Sequence, residues 1–399
     1  MPMAVVDRGP PGHHAPYTTE VTVSAEDFGP IVAQVREFVR DAVVPREREI
    51  AETNAVPDDL RVQAAAMGLF GYAIPEEYGG LGLDLTQDVE LALELGYTSL
   101  AFRSLFGTNN GIAGQVLVGY GTDAQKKRWL EAMAEGRVVA SFALTEPEAG
   151  SDPSGMRSTA TRTDSGWIVN GQKRFITNAP IADLFVAFAK VDGEVAVFLV
   201  PADTPGVTVG PKDHKMGQEG ATTADVTFDN VRVDADALVS GEVRTGFRAA
   251  MTVLARGRVH ISALAMGLAR RALDESVAYA AAVRQGGVLI GERQLVQAML
   301  AEQQALVLAG TAMVRETARR YVDGSDRRIG PSATKLFCTE AAGKVADLAV
   351  QVHGGSGYMR ETTVERLYRD VRLLRLYEGT SEIQKLIVGR ELLKRELAT

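Results

Sequence analysis

The spacing of apolar side chains divides the sequence into three parts. In residues 24–136 apolar residues recur at helical spacing, and Ser24 and Thr122 are candidate helix caps. In residues 139–233 apolar and polar residues alternate instead, which is the period of a half-buried strand. From about Thr245 the helical spacing returns and continues to the end of the sequence. The pattern therefore predicts helices, then a sheet, then helices.

Some segments predict individual elements. Residues 107–118 predict one buried helix, and residues 166–173 predict a strand, a turn and the start of a second strand. Residues 184–190 and 194–200 flank Asp192-Gly193, which is a strong hairpin signal. No long helical pattern interrupts this part, so we expect a small antiparallel barrel or sandwich of about a hundred residues. The helices expected in the C-terminal part are residues 263–283, 294–323, 331–353 and 381–397.

The length of the chain indicates more than one domain. A chain of 399 residues is too long for one simple core. The expected parts are a flexible extension at residues 1–24, a helical domain at 25–138, a β domain at 139–240 and a second helical domain at 241–399. His13 and His14 fall in the extension, where a flexible tail explains them better than a metal site.

Composition and charge exclude several functions. The hydrophobic content of 46% and the charged content of 24% are typical of a soluble protein, and the net charge of −8 argues against a general nucleic-acid binder. No apolar run reaches transmembrane length and no secretion signal opens the sequence, so we expect a cytoplasmic protein without a membrane partner. Cys338 is the single cysteine and lies on an apolar helical pattern, so we expect a buried thiol and no metal site.

One acid near the C-terminus has two interpretations. Glu378 stands between Tyr377 and Gly379, shortly before a predicted helix. Ser381 and Gln384 have the spacing of a capping box, so we expect that helix to begin at Ser381, with Glu378 near its positive end. Glu378 is then either an anchor for the helix cap or a base that reaches into a cleft. The sequence pattern alone does not distinguish these two interpretations of Glu378.

Two other segments have side chains that suit a ligand. Residues 144–152 carry hydroxyls and turn N–H groups that could bind a planar ring or a phosphate, although a polar surface turn is the simpler interpretation. Phe175 and Thr177 end a strand, where an aromatic face beside a hydroxyl suits stacking plus one hydrogen bond. A core aromatic explains Phe175 equally well. His353 precedes a glycine-rich segment and, as a lone histidine, is more often structural than catalytic.

Taken together, these segments resemble the acyl-CoA dehydrogenase family. The resemblance covers residues 27–395, and its strongest segments are residues 145–152, 170–178, 228–233, 351–358 and 377–381. It implies a mainly α fold with a central β domain. That fold has an N-terminal helical bundle, a middle antiparallel β-barrel or sandwich, and a C-terminal four-helix bundle.

The resemblance also implies an enzyme that uses FAD to oxidise an acyl-CoA thioester to the trans-2-enoyl-CoA. Glu378 matches the family's usual base for the α-proton, while the β-hydrogen leaves as hydride to the flavin. Some members place the base immediately before the arginine that Arg258 matches, but that residue is Gly257 here. The implied partners are the acyl-CoA substrate, an electron-transferring flavoprotein, and further copies of the chain in a homotetramer.

Other site residues carry over from the family by position. The residues expected to line or bond to the flavin are Phe142, Leu144, Thr145, Phe175 and Thr177. The residues expected at the CoA substrate are Ser151, which is also placed near the cofactor, Arg258, Tyr377 and Gly379. Further FAD contacts, some of them to a neighbouring subunit's FAD, are expected from Gln294, Gln351, Gly354, Gly355, Thr380 and Glu382.

One segment departs from the family pattern. After Tyr279 the family usually shows an Arg-x-x-Phe-Gly segment that clamps FAD phosphates across a subunit interface. Residues 283–287 instead read Val-Arg-Gln-Gly-Gly, so the arginine is displaced by one residue, to Arg284, and the phenylalanine is missing. A shift of one residue on a helix turns a side chain by about 100°, so we expect FAD binding or the subunit contact to differ here.

Two alternatives stay open at this point. The same scaffold also carries acyl-CoA oxidase-like enzymes and flavin monooxygenases, and the presence of Glu378 disfavours the monooxygenase. A family member that has lost FAD could instead act as a binding or assembly protein. Only the altered residues 283–287 support that second alternative.

Overall fold

The structure is a computed structural model that describes residues 23–398. Almost all of the expected extension at residues 1–24, including His13 and His14, therefore lies outside the described residues. Within the described range, no helix is both long enough and apolar enough to cross a membrane.

Helices fill the N-terminal part, as predicted. They are α1 (Ala25–Phe38), α2 (Glu47–Thr53), α3 (Asp58–Ala66), α4 (Leu85–Leu95), α5 (Leu100–Asn110), α6 (Ile112–Tyr120) and α7 (Asp123–Ala134). Ser24 caps α1, and Thr122 with Gln125 forms the expected capping box at the start of α7. The single helix expected at residues 107–118 is wrong. The chain breaks between α5 and α6 at Gly111, whose φ of −101° and ψ of −126° are not helical.

The middle part forms one seven-stranded sheet. Its strands are β1 (Ala140–Ala143), β2 (Thr159–Arg162), β3 (Gly166–Thr177), β4 (Leu184–Val191), β5 (Glu194–Pro201), β6 (Val207–Val209) and β7 (Thr223–Asp234). The predicted hairpin is confirmed, because β4 and β5 pair antiparallel around Asp192 and Gly193, both with positive φ. The sheet is not purely antiparallel, however. Strands β1 and β2 both run parallel to β4, since they reach it through long connections rather than hairpins.

Residues 166–177 form one strand rather than a strand, a turn and a second strand. The register between β3 and β7 shifts between Val169 and Gly171, which marks a β-bulge whose extra residue is on β7, where Asp229 and Asn230 lie opposite Asn170. A side chain at position 171 would overlap Ser158, so glycine is needed at this bulge. The Asn-Gly pair therefore bends a strand instead of ending it.

The C-terminal part is built around a mostly buried helix of 38 residues. Its elements are α8 (Thr245–Ala282), a hairpin of β8 (Arg284–Gln285) and β9 (Val288–Leu289), α9 (Gln294–Val322), α10 (Ile329–His353), α11 (Thr363–Leu374) and α12 (Ser381–Glu396). Helix α11 was not predicted, because the segment is highly charged and only four apolar residues at helical spacing mark its buried face. These are Val364, Leu367, Val371 and Leu374.

Helices α4 and α8 pack closely enough that glycine is required at their crossing. A side chain at Gly267 of α8 would overlap the carbonyl oxygen of Leu93, and one at Gly96 would overlap that of Leu264. This close contact places Asp88 of α4, which is fully buried, against residues of α8 that border the cleft described below. Helix α8 therefore contributes both to the packing of the core and to the border of the cleft.

Candidate active site

A cleft of about 640 Å³ lies where the helical parts meet the sheet. Its walls come from α5, the loop after β1, the end of β3, the middle of α8 and the turn before α12. The structure brings together these predicted site residues in its lining: Phe142, Leu144, Thr145, Ser151, Phe175, Thr177, Arg258, Tyr377, Glu378 and Gly379.

The remaining predicted site residues do not line the cleft. They are Gln294, Gln351, Gly354, Gly355, Thr380 and Glu382. At the end of α10, the His353 ring stacks on Tyr279 with ring centroids 4.1 Å apart, while Val352 packs in a cluster that includes Val296 of α9. The start of α9 therefore packs near the end of α10. The role of Gln294, Gln351, Gly354 and Gly355 at a neighbouring subunit's FAD stays a prediction.

The departure from the family pattern lies on a hairpin, not on a helix. Helix α8 ends at Ala282, and the β8–β9 turn is formed by Gly286 and Gly287, with φ of 60° and 82°. Arg284 donates from Nη1 to the Gly287 carbonyl at 3.0 Å. The rotation of about 100° expected for a helical shift is therefore wrong, because residue 284 lies outside the helix.

The loop after β1 is held on β3 by a buried ion pair. Lys173 donates from Nζ to Glu146 Oε1 at 2.7 Å and to the Leu144 carbonyl at 3.3 Å. Glu146 also accepts the Ser158 N–H at 3.1 Å, so its charge is both paired and hydrogen-bonded. Burial lowers the pKa of Lys173 to about 8, against the opposing effect of Glu146. This loop is thus more than a polar surface turn.

Phe175 exposes an aromatic ring to the cleft. The residue is 63% exposed and has a φ of 57°, a conformation that non-glycine residues adopt at a cost of roughly 1–3 kcal/mol. Asp225, which pairs with Arg174 at 3.2 Å, accepts the Phe175 N–H at 3.4 Å and supports this conformation. An exposed ring near the Thr177 hydroxyl suits a planar ring that accepts a hydrogen bond. These residues fit the isoalloxazine ring of a flavin.

The helix after Glu378 begins at Ser381, as predicted, but its cap is a different residue. The Thr380 hydroxyl accepts the Ile383 N–H at 3.4 Å, so Thr380 is the N-cap. Ser381 instead donates its hydroxyl proton to Glu340 at 2.6 Å. The capping box predicted for Ser381 and Gln384 is therefore wrong, because the Gln384 side chain turns towards the preceding turn.

Three side chains hold that turn. Glu378 and Gly379 are both left-handed, with φ of 52° and 94°. Gln384 donates to the Glu378 carbonyl at 3.2 Å and to the Gly379 carbonyl at 2.8 Å, and Lys335 of α10 donates to the Gly379 carbonyl at 2.6 Å. Arg258 of α8 donates to the Glu378 carbonyl at 3.5 Å. Burial lowers the pKa of Lys335 to about 8, while the nearby Glu378 raises it.

The Glu378 carboxylate faces the bare backbone of Gly257. Its Oε2 atom is buried and has no hydrogen-bond partner in the described part of the chain, and a Cβ at position 257 would overlap it. Burial raises the pKa of Glu378, while Arg103, Lys335 and Arg258 act in the opposite direction. An acid with a raised pKa and an unused oxygen is suited to accept a proton from a bound molecule.

Sequence reasoning missed the cations around this acid. Arg103 lines the cleft from α5, and Lys335 is fully buried on α10. Each is a single cation next to large apolar residues in a stretch with helical spacing. That pattern was the signal in the sequence that could have indicated a cation facing the interior. His260, on α8, hydrogen-bonds to the buried Asp88 at 2.7 Å. No cluster of candidate metal ligands occurs among residues 23–398.

Comparisons with known proteins cover each part of the chain. Residues 26–137, 141–231 and 244–393 match the N-terminal, middle and C-terminal domains of acyl-CoA dehydrogenases. The chain belongs to the acyl-CoA dehydrogenase family. Cys338 is buried, and both the fold and the family expected from the sequence are confirmed.

Three relatives and one solved structure illustrate the range of this family. A 3-(aryl)acrylate reductase of Clostridium sporogenes is 36% identical and an acyl-CoA dehydrogenase of Bacillus subtilis 35% identical, each over 90% of this chain and 96% of the relative. The CarC subunit of the caffeyl-CoA reductase-Etf complex of Acetobacterium woodii is 34% identical over 87% of this chain and 93% of its own. The crystal structure of a glutaryl-CoA dehydrogenase from Mycobacterium smegmatis in complex with FADH2 has 30% identity and a TM-score of 0.88, covering 95% of this chain and 98% of that one.

This acyl-CoA dehydrogenase family member is an FAD-dependent oxidoreductase. Its family membership and the flavin-bound structure neighbour establish the cofactor, and the residues of its own cleft fit the flavin ring.

The Lys173–Glu146 ion pair gives a test of how the loop after β1 is held. We expect Lys173→Met to lower the free energy of unfolding by about 3–5 kcal/mol, because it leaves a buried carboxylate without its cation. The double variant with Glu146→Gln should recover part of this loss, since no buried charge is then unpaired. Lys127→Met, at an exposed lysine, should change stability by less than about 0.5 kcal/mol. Equal losses in the two lysine variants, measured by denaturant unfolding, would contradict this account.

Proposed function

We propose that the protein oxidises an acyl-CoA thioester to the trans-2-enoyl-CoA, with Glu378 as the base that removes the α-proton. The observation that carries this proposal is the Glu378 carboxylate, whose buried Oε2 has no hydrogen-bond partner among the described residues and lies over Gly257. Burial raises its pKa towards the range in which a general base works. FAD, when bound, accepts the β-hydrogen as hydride.

The turn that carries the base also offers a donor for the thioester oxygen. Negative charge develops on that oxygen as the α-proton leaves, so a fixed N–H nearby stabilises the transition state. The Glu378 N–H makes no backbone hydrogen bond in the described part of the chain that would compete for this role. Lys335, Gln384 and Arg258 hold the two carbonyls of the turn and thereby orient this N–H.

The cleft residues divide into two groups in this proposal. The side chains that would hold the flavin ring are Phe142, Leu144, Thr145, Phe175 and Thr177. Ser151, Arg258, Tyr377 and Gly379 would contact the acyl-CoA thioester. Excluding water from the space between these groups would strengthen every electrostatic interaction of Glu378.

Replacing Glu378 by glutamine tests the base. Glu378→Gln keeps the size of the side chain but cannot accept the proton, so we expect normal FAD content and no flavin reduction by acyl-CoA. Reduction of an enoyl-CoA in the reverse direction, which the name of the caffeyl-CoA reductase relative suggests, should fail as well, because the same group returns the α-proton. Glu361→Gln, at an exposed acid, is the control. Normal bleaching of the flavin in the Glu378 variant would refute the assignment.

The pH dependence of flavin reduction tests the role of Lys335. Its positive charge lowers the pKa of Glu378, so Lys335→Met should raise that pKa further. The base must be ionised to act, so the rise of the rate with pH should move to higher pH. Lys344→Met changes an exposed lysine of the same helix and should leave the profile in place. Identical profiles for both variants in stopped-flow experiments would contradict a role for Lys335.

We infer that the chain assembles as a homotetramer and passes electrons to an electron-transferring flavoprotein. Exposed leucines on α9 and α12 support assembly, with Leu295 81% exposed and Leu393 67% exposed. A relative's membership in a reductase-Etf complex supports the electron acceptor. Sedimentation equilibrium should give the mass of four chains of 42.7 kDa each, and a monomer would contradict the assembly. A cytoplasmic location stays a prediction.

Two alternatives can be separated from this proposal by simple observations. Oxygen consumption with release of hydrogen peroxide would favour an acyl-CoA oxidase. A purified protein that is colourless and takes up no added FAD would favour a non-catalytic binding protein. No feature of the cleft favours a flavin monooxygenase over the dehydrogenase.

A further inference from the structure

The segment between β6 and β7, residues 210–222, contributes to the wall of the cleft. Lys215 and Gln218 of this β6–β7 segment line the cleft. The segment is closed at its base, because Asp213 donates its backbone N–H to the Thr223 carbonyl at 2.9 Å and its carboxylate accepts the Thr223 hydroxyl proton at 2.7 Å. The β6–β7 segment is therefore a pinned loop whose middle reaches the cleft.

The β6–β7 segment is attached to α11 by close contacts. A Cβ at Gly217 would lie 2.7 Å from the backbone carbonyl carbon of Arg369, so a larger residue would push the segment away from the helix. Arg369 donates from Nη1 to the Met216 carbonyl at 3.1 Å and forms an ion pair with Glu219. Helix α11 ends shortly before Glu378, so these contacts join the sheet to the chain that leads into the base.

Gln218 is bound to one residue of α11 through both its backbone and its side chain. Its N–H donates to the Asp370 carboxylate, and its Nε2 donates to the Asp370 carbonyl at 3.1 Å. Asp370 is buried and forms an ion pair with Arg366 at 3.6 Å. Gln218 is also buried, and its φ of 54° is a left-handed conformation that a non-glycine residue keeps only where its surroundings determine it. The position of Gln218 is therefore strongly specified.

The Gln218 side chain also interacts with the residue before the base. Burial raises the pKa of Tyr377, while Arg103 and a side-chain hydrogen bond with Gln218 act in the opposite direction. Tyr377 lines the cleft beside Glu378. The hydrogen bonds described above hold the carbonyls of Glu378 and Gly379, so they restrain the turn on the C-terminal side of the base. The contact between Gln218 and Tyr377 restrains it on the N-terminal side.

We propose that Gln218 is a positioning residue for proton abstraction, which is held by Asp370 and acts through Tyr377 on the orientation of Glu378. The proposal rests on the dehydrogenase function above and adds to it a residue from the sheet side of the cleft. Gln218 exchanges no proton or electron. The α-proton passes to Glu378, the β-hydrogen leaves as hydride to the flavin, and the product is the trans-2-enoyl-CoA. Because misplacing a reacting group by about 1 Å can lower a rate about a hundredfold, loss of this contact should affect the rate more than substrate binding.

Two variants remove the Gln218 amide but differ in backbone strain. Gln218→Met keeps a side chain in the left-handed conformation, whereas glycine adopts that conformation freely, so Gln218→Gly should be the more stable of the two. We expect both variants to lower the limiting rate of anaerobic flavin reduction by about tenfold or more, and to change the dissociation constant of the acyl-CoA by less than about threefold. Lys212→Met, at an exposed residue of the same segment, is the control and should leave both quantities unchanged. A rate that follows the melting temperature instead of the loss of the amide would overturn the proposal.

Exchange of the α-proton isolates the step that Gln218 is proposed to affect. An acyl-CoA with sulfur in place of the β-carbon has an α-proton but no β-hydrogen to transfer, so its exchange with D2O reports proton removal by the base alone. We expect Gln218→Met and Gln218→Gly to slow this exchange by about tenfold or more, with FAD content normal. Exchange at the wild-type rate in both variants would refute the role of Gln218. A wild-type enzyme that shows neither exchange nor flavin reduction would refute the dehydrogenase function itself.

A double-mutant cycle tests whether Gln218 acts through Tyr377. Tyr377→Phe removes the phenol oxygen with which the amide interacts. If the two residues act as a unit, adding Gln218→Met to Tyr377→Phe should lower the limiting rate of flavin reduction further by less than about twofold. Independent effects, in which the two single-variant fold changes multiply, would contradict an action through Tyr377.

Discussion

The geometry of the cleft depends on hydrogen bonds donated to two backbone carbonyls, those of Glu378 and Gly379. A non-glycine residue in the left-handed region costs roughly 1–3 kcal/mol, so Glu378 keeps this conformation only where its surroundings determine it. Lys335, Gln384 and Arg258 approach from three different helices and supply those bonds. Two of the three are cations, so the same side chains that orient the base also adjust its affinity for a proton.

Helix α8 connects this turn to the core. Within one turn of that helix lie Gly257 under the carboxylate, Arg258 beside the Glu378 carbonyl, and His260 behind Arg103. The same helix packs on α4 so closely that glycine is needed at the crossing. Because packed cores deform little, a shift of α8 would move the base, its support and the cleft cation together. The stability of the core and the geometry of the cleft are therefore linked through one helix.

Local sequence signals predicted much of the fold and the central acid of the site. The Asp192-Gly193 hairpin and the Thr122 capping box depend on neighbours within a few residues, and both are confirmed. The β7 bulge opposite Asn170 and the parallel pairing of β1 with β4 depend on strands far apart in the chain, so no local pattern indicated them. Arg103 was missed for the same reason, because its position in the cleft wall depends on a hydrogen bond to His260, which lies 157 positions later in the chain.

The contact between Glu378 and Gly257 restricts how a protein of this kind can evolve. A side chain at position 257 and the observed position of the Glu378 carboxylate exclude each other, because a Cβ there would overlap Oε2. Moving the base from one position to the other therefore requires two substitutions. After only one of the two substitutions, the cleft contains either no acid or two side chains, at positions 257 and 378, that would occupy the same space. The two positions are epistatic, and either single-step intermediate is expected to be a poorer enzyme than both end states.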